Sequence, residues 1–208
     1  MIRLVIILGT FVVSVLANGQ TTYESDMQKA LGLFDNGNLE DAGNLFEKIA
    51  ETEQNNWLPN YYVALTNSLQ SFTVSEKDQK ENLLEKAEKF LKKIAEKQPE
   101  NVEIMVVQAL IDTGWIVYDP MTYGQRNFNK ILGIYAKVRR IDPQNPRVAL
   151  SSVEFDMNST KYMGGNPKDF CNDLKKVTEL FVTFKPETEF HPNWGAERIE
   201  ILLRECNL

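Results

Sequence analysis

Apolar residues recur three and four positions apart along almost the whole chain after residue 20, with glycine, proline and asparagine between these segments. This spacing predicts amphipathic helices, because residues three or four apart lie on the same face of a helix. No run of alternating β-branched residues competes with the helical pattern. The sequence therefore predicts an all-α fold.

One motif recurs within these helices. A small residue is followed by a large apolar residue four positions later and by another three positions after that, as in Ala42, Phe46 and Ile49. The later copies are Ala87, Leu91 and Ile94, then Ile131, Tyr135 and Val138, and a degenerate copy at Phe170, Leu174 and Val177. Prolines close the second and third copies, at Pro99 and Pro143. A motif repeated in this way predicts a stacked array of helix pairs.

These residues resemble the tetratricopeptide repeat, a helix-turn-helix unit of about 34 residues. The resemblance covers most of residues 23 to 184, although the first-helix tryptophan and the Leu-Gly pair of the family are missing. It implies a right-handed superhelical array of about four irregular antiparallel pairs within a domain spanning 20–208. The expected pairs are 23–53, 57–97, 101–141 and 146–184, followed by a capping helix at 194–206. A helical array of another family is the alternative.

Two inserted segments lengthen the second and third pairs. The first, "SEKDQKENLLEKAEKF", keeps the helical pattern, and we expect Ser75 to cap its helix with Asp78 three residues on. The second contains "GWIVYDPMTYG", whose glycines and Pro120 exclude one uninterrupted helix. It predicts an ordered, aromatic loop at 114–124 or a broken helix end.

The first twenty residues have the three-part pattern of a secretory signal: Arg3, an apolar run from Leu4, and then small residues. The apolar run is shorter than the about 20 residues that span a bilayer. We therefore predict a signal peptide at 1–19, cleaved after Ala17 or Gly19, and a periplasmic or secreted protein without stable membrane insertion. An uncleaved anchor is the alternative.

The two cysteines, Cys171 and Cys206, are the only ones in the chain. An exported protein meets an oxidising compartment, in which disulfides persist. If the last two helices are antiparallel, their turn centres near residue 189, and the cysteines are almost equally far from it. We expect a disulfide that fastens the last helix, and two separate buried thiols are the alternative.

Candidate chemistry is sparse. The net charge is −6 and the lysines are scattered among glutamates, which argues against nucleic acid as a partner. The sole histidine, His191, lies between Phe190 and Pro192 in an expected turn, so we interpret it as a loop residue. No phosphate loop or catalytic constellation is present in the sequence. We therefore expect a non-catalytic protein without a metal or cofactor.

The resemblance implies a scaffold or adaptor that binds a protein or peptide partner along the concave face formed by the first helix of each pair. That face carries no lysine and is either an open apolar groove or filled by another element. The alternative is a small-ligand or glycan-binding module that uses the aromatic segment 114–124. The candidate residues are Phe34, Tyr61, Leu65, Val106 and Leu110 on the face, and Trp115, Tyr118 and Tyr123 in the segment.

Overall fold

A computed structural model describes residues 22–206, so the predicted signal peptide lies outside the described residues. Every regular element among them is helical, which confirms the all-α prediction. The helices are α1 at 22–35, α2 Leu39–Thr52, α3 Trp57–Ser71, α4 Lys77–Ala95, α5 Val102–Tyr118, α6 Pro120–Ile141, α7 Pro146–Tyr162, α8 Cys171–Thr183 and α9 Ala196–Glu205, with a 3-10 turn Pro167–Phe170 before α8. None of these helices is long and apolar enough to cross a membrane.

Asparagines begin four of the helices. Asn38, which follows Gly37 with its positive φ of 76°, accepts a hydrogen bond from the amide of Asp41. Asn56, Asn101 and Asn145 cap α3, α5 and α7 in the same way. Each side chain satisfies backbone amides that have no partner within the helix.

The predicted cap of α4 is wrong. The helix begins at Lys77 after Glu76, and no side chain caps it. The turn that ends α3 extends as far as Val74, whose amide donates to the carbonyl of Gln70 at 3.3 Å. This turn leaves Ser75 outside the first turn of α4.

Consecutive helices pack against each other, and α5 also packs against both α3 and α7. The first helices of successive pairs therefore form one layer. Small residues allow close approach within the array. Ala42 is fully buried, and a Cβ added at Gly114 on α5 would lie 2.5 Å from Leu84 Cδ2 on α4.

The segment 114–124 is not a loop, which corrects that prediction and leaves its alternative, a broken helix end. α5 continues to Tyr118 and α6 begins at Pro120. Asp119 separates them and accepts hydrogen bonds from the amides of Met121 and Thr122. Proline suits the first position of α6, where its missing amide hydrogen has no helical partner to lose.

The chain returns along the array after α8. We call residues 184–195 the strap. Phe190 is buried in the same core cluster as the residues of α1 to α5. Trp194 Nε1 donates a hydrogen bond of 2.8 Å to the phenol oxygen of Tyr61. The strap therefore covers part of the face formed by the first helices.

A disulfide joins Cys171 at the start of α8 to Cys206 after α9, with the two Cα atoms 5.9 Å apart. This confirms the predicted pairing. The two helices also pack directly on each other, through a cluster that includes Leu174, Val177 and Leu202. The bond therefore anchors the last helix and, through it, the end of the strap.

Candidate functional site

Two grooves meet at Trp57, the first residue of α3. The lysine groove has a volume of about 730 Å³ and lies between the end of α2, the start of α3 and the end of α4. The histidine groove, of about 670 Å³, lies between the starts of α5 and α7, the end of α6 and the strap. Trp57 and Gln98 line both grooves. Each volume suits a small molecule.

The lysine groove combines an apolar floor with a cationic rim. Phe90 and Ile94 on α4 line the floor, Lys89 and Lys93 lie one turn apart on the same helix, and Lys97 follows just after the helix ends at Ala95. Glu47 and Glu51 of α2 line the opposite side. Lys93 Nζ is 3.9 Å from the centre of the Phe90 ring, a cation–π contact. None of the three lysines forms an ion pair with any residue between 22 and 206. Their charges are therefore available to an anion.

Asn60 adds a polar group to the lysine groove. It lies one turn into α3 and is only 5% exposed. Its Oδ1 is buried and has no hydrogen-bond partner among the described residues. Leaving such an oxygen unpaired costs about 1 to 3 kcal/mol, so it is a ready acceptor for a donor on a bound molecule or a water.

The histidine groove has aromatic and imidazole walls. The His191 ring lies edge-on to Trp57, with the ring centres 5.6 Å apart. Thr188 Oγ1 is 2.8 Å from His191 Nδ1, and the Glu187 carboxylate is 3.1 Å from Nε2. Phe184 and Pro192 of the strap complete the apolar wall.

A buried ion pair forms the base of the histidine groove. Arg147 donates from Nε and Nη2 to the two carboxylate oxygens of Glu103, at 2.7 and 2.5 Å. Asn145 Nδ2 donates to the same carboxylate at 2.7 Å. The Arg147 guanidinium also lies 4.4 Å from the centre of the Phe184 ring, and its Nη1 has no partner among the described residues.

Charge and burial define which groups around the grooves ionise. Burial lowers the pKa of Arg147, but its bonds to Glu103 more than offset this effect and the pKa is raised. Burial also raises the pKa of Tyr61 well above its usual value, and that of Tyr62. Arg147 is therefore a permanent cation at neutral pH, while both phenols stay neutral.

The aromatic residues predicted to bind a small ligand, Trp115, Tyr118 and Tyr123, line neither of these grooves. Trp115 is 6% exposed and its Nε1 donates to Glu88 at 2.9 Å. The Tyr118 hydroxyl donates to Glu81 at 2.8 Å, and this bond raises the pKa of Tyr118 to about 12. Tyr123 packs 5.0 Å from the Trp115 ring. The adjoining pocket of about 240 Å³ is smaller than most small-molecule sites.

The residues expected on a concave binding face lie within the protein. Tyr61, Leu65 and Val106 have no exposed surface, while Phe34 and Leu110 are partly buried. None of the eight predicted site residues lines either groove at Trp57. Sequence reasoning missed the groove because lysines four residues apart on α4 have the pattern of an ordinary solvated face. The Phe90 ring between them was the available signal.

Comparisons with known proteins show the fold alone. Neither a protein-family model nor a curated protein matches the chain. Among solved structures, the chain is similar to the HusA haemophore from Porphyromonas gingivalis, with a TM-score of 0.75 and 20% sequence identity. The match covers 88% of this chain and 92% of the haemophore chain. The two proteins therefore share their helical architecture over almost their full lengths.

Proposed function

We propose that this protein is an exported, non-catalytic carrier of a flat, anionic small molecule of the haem class. The ligand lies at Trp57, with its apolar ring against the groove floors and its carboxylates on the rim. The observation that carries the proposal is the set of Lys89, Lys93 and Lys97 beside the Phe90 ring, which form no ion pair with any residue between 22 and 206. The shared fold with a haemophore supports the same class of ligand.

A ligand of the haem class has two kinds of surface. A porphyrin is a broad apolar disc that gains free energy by leaving water for aromatic and aliphatic side chains. Its two carboxylates need cations or amide donors at the edge of the site. The lysine groove offers both kinds of group, because Trp57, Phe90 and Ile94 line it together with three lysines and the amide side chains of the α2–α3 turn and of α3.

The cell compartment and the array type belong to the same proposal. The disulfide between Cys171 and Cys206 supports an oxidising compartment outside the cytoplasm. The layered first helices support a tetratricopeptide-like superhelix. A peptide-binding scaffold is less favoured, because the strap covers Tyr61 and places Phe190 in the core beneath it.

A titration tests the proposal. Ferric haem and metal-free protoporphyrin are each added to the purified protein, and Soret absorbance and tryptophan fluorescence are followed. We expect saturable binding with quenching of Trp57. The variants Trp57→Leu and Lys93→Gln with Lys97→Gln keep the helices and remove the aromatic face or two rim charges. Each is expected to weaken binding of both porphyrins by about tenfold, which corresponds to about 1.4 kcal/mol.

Matched controls separate the groove from general effects of charge. Lys168→Gln with Lys175→Gln removes the same charge from exposed lysines near and on α8. Trp115→Phe alters an aromatic residue outside both grooves. These variants are expected to bind as the parent does. Absence of saturable binding, or equal losses in the lysine-groove and control pairs, contradicts the proposal.

A further inference from the structure

We infer that His191 is the protein ligand to the metal of the bound macrocycle. This inference rests on the proposed function, and it specifies which form of the ligand the site prefers. His191 is the only histidine in the chain, and it lies in the wall of the histidine groove with 19% of its side chain exposed. Its ring is held against Trp57, where the two grooves meet.

The two ring nitrogens of His191 have unequal partners. Nδ1 is 2.8 Å from Thr188 Oγ1, three residues earlier in the same turn. A metal-binding imidazole keeps a hydrogen on one nitrogen and uses the other as the ligand, and a hydrogen-bond acceptor at the first fixes this tautomer. With the Thr188 hydroxyl accepting from Nδ1, the lone pair of Nε2 is the ligand.

Nε2 is also the nitrogen that becomes free at little cost. Its partner in the ligand-free protein is the carboxylate of Glu187, at 3.1 Å, whose side chain is 84% exposed. An exposed carboxylate recovers water when it turns away, so this pair contributes little. Metal binding moves the ring to the tautomer with its hydrogen on Nδ1, where Thr188 Oγ1 accepts it, so the hydrogen that Nε2 directs at Glu187 is given up and the metal takes the place of Glu187.

The composition of the site fits a metal that arrives in a macrocycle. No group of three or more histidine, cysteine, aspartate or glutamate side chains is placed to hold a metal ion within residues 22–206. A porphyrin supplies four nitrogen ligands of its own, so one imidazole from the protein completes an axial position. One ligand is what the histidine groove offers.

Charged groups of both signs surround His191. Arg147 lies at the base of the same groove with its charge paired to Glu103, Lys185 lines the strap side, and Glu100, Asp142 and Glu187 also line the groove. Lys97 lines the adjoining lysine groove next to the shared Gln98. Carboxylates at the edge of the macrocycle therefore have Lys185 on one side of Trp57 and Lys97 on the other.

The experiment compares three porphyrins on the parent protein, His191→Ala and His191→Gln. Ferric haem and zinc protoporphyrin carry a metal, and metal-free protoporphyrin does not. We expect the parent with ferric haem to give the electron paramagnetic resonance and Soret signature of an imidazole ligand. His191→Ala is expected to bind ferric haem at least about tenfold more weakly. Its affinity for metal-free protoporphyrin is expected to fall much less, because that porphyrin has no metal for the imidazole to bind.

Added imidazole provides a test that a merely structural role of His191 would not pass. In His191→Ala it is expected to restore the imidazole signature, whereas His191→Gln, whose amide fills the space, is rescued less. Far-ultraviolet circular dichroism and thermal unfolding establish that both variants are folded. Parent and variants with the same haem spectrum and affinity overturn the axial ligand and leave the proposed carrier intact. A parent protein that binds no porphyrin overturns both.

Discussion

The phenol of Tyr62 on α3 donates a hydrogen bond of 3.0 Å to the backbone carbonyl oxygen of Phe190, 128 residues further along the chain. The Phe190 ring packs edge-on to Tyr23 with the ring centres 5.5 Å apart. The C-terminal strap is thereby held on the N-terminal helices. It covers part of the first-helix face, at Tyr61, and it places His191 beside Trp57.

Removal of the Phe190 ring should release the strap. Phe190→Ala is expected to lower the free energy of unfolding by about 3 to 5 kcal/mol, because a large buried side chain is lost and its cavity remains. Urea denaturation measures this change, and limited proteolysis should cut within 184–195 sooner. Phe72→Ala is the control, because Phe72 is 39% exposed and its loss should cost much less. Equal effects of the two substitutions would contradict the role of Phe190.

The ion pair between Arg147 and Glu103 should behave as a unit. Arg147→Met leaves the Glu103 carboxylate buried without its cation, and we expect a loss of about 3 to 5 kcal/mol in urea unfolding. Adding Glu103→Leu should recover much of that loss, since the uncompensated charge is gone. The exposed pair of Lys176 and Asp173 is the control, and Lys176→Met should cost less than about 1 kcal/mol. Strictly additive losses at Arg147 and Glu103 would argue against coupling.

Two helical glycines should respond in opposite directions to alanine. In Gly114→Ala the new Cβ would lie 2.5 Å from Leu84 Cδ2 and 3.2 Å from Ser71 Oγ, so the buried Leu84 side chain must move from its packed position. Such overpacking is expected to cost about 1 to 3 kcal/mol. Gly124→Ala meets nothing within 4 Å and should stabilise α6 by about 0.5 to 1 kcal/mol. Thermal unfolding of the two variants beside the parent decides this, and stabilisation by both would refute the close contact.

The carboxyl of Asp112 should make the effect of Lys130 depend on pH. Burial raises the pKa of Asp112 above its usual value near 3.8, and the ion pair with Lys130 at 2.9 Å partly opposes that rise. Lys130→Gln should therefore raise this pKa further. At neutral pH the ionised Asp112 then has no cation beside it, and Lys130→Gln should lower the free energy of unfolding by about 1 to 2 kcal/mol. The loss is modest because Lys130 is half exposed in the parent, so water already weakens the ion pair.

The sign of the pH effect follows from which state binds the proton more tightly. The pKa of Asp112 is higher in the folded protein than in the unfolded chain, so the folded protein binds this proton more tightly and acid favours folding. The destabilising effect of the buried charge disappears as the pH falls through the raised pKa. The difference between the parent and Lys130→Gln should shrink from neutral pH towards pH 4. Urea unfolding at several pH values measures it, with Lys168→Gln as the exposed control. A difference that does not vary with pH would contradict this account.

Much of the local structure was predictable from the sequence. Apolar spacing predicts helices because a helix repeats every 3.6 residues, and asparagine before such a run predicts a start, as at Asn38. The pairing of Cys171 with Cys206 followed from their equal distances from the expected turn, and it is confirmed. The failures are also local: Ser75 does not cap α4, and an aspartate and a proline divide 114–124 into two helices instead of a loop.

The candidate site could not be predicted from the sequence pattern, because its residues are far apart along the chain. Trp57, Phe90 and His191 belong to α3, α4 and the strap, and no periodicity relates their positions. Lysines on α4 have the same spacing whether they face water or a groove.

The sequence by itself determined the all-helical class, the asparagine caps of α2, α3, α5 and α7 and the small residues of the repeated motif, because these depend on neighbours within a few positions. Tertiary packing alone decided that the strap covers the first-helix face and that Trp57 joins two grooves. The physical reason is that helix rotation and the path of a return segment are set by contacts such as Tyr62 with Phe190, which form only when the whole array closes.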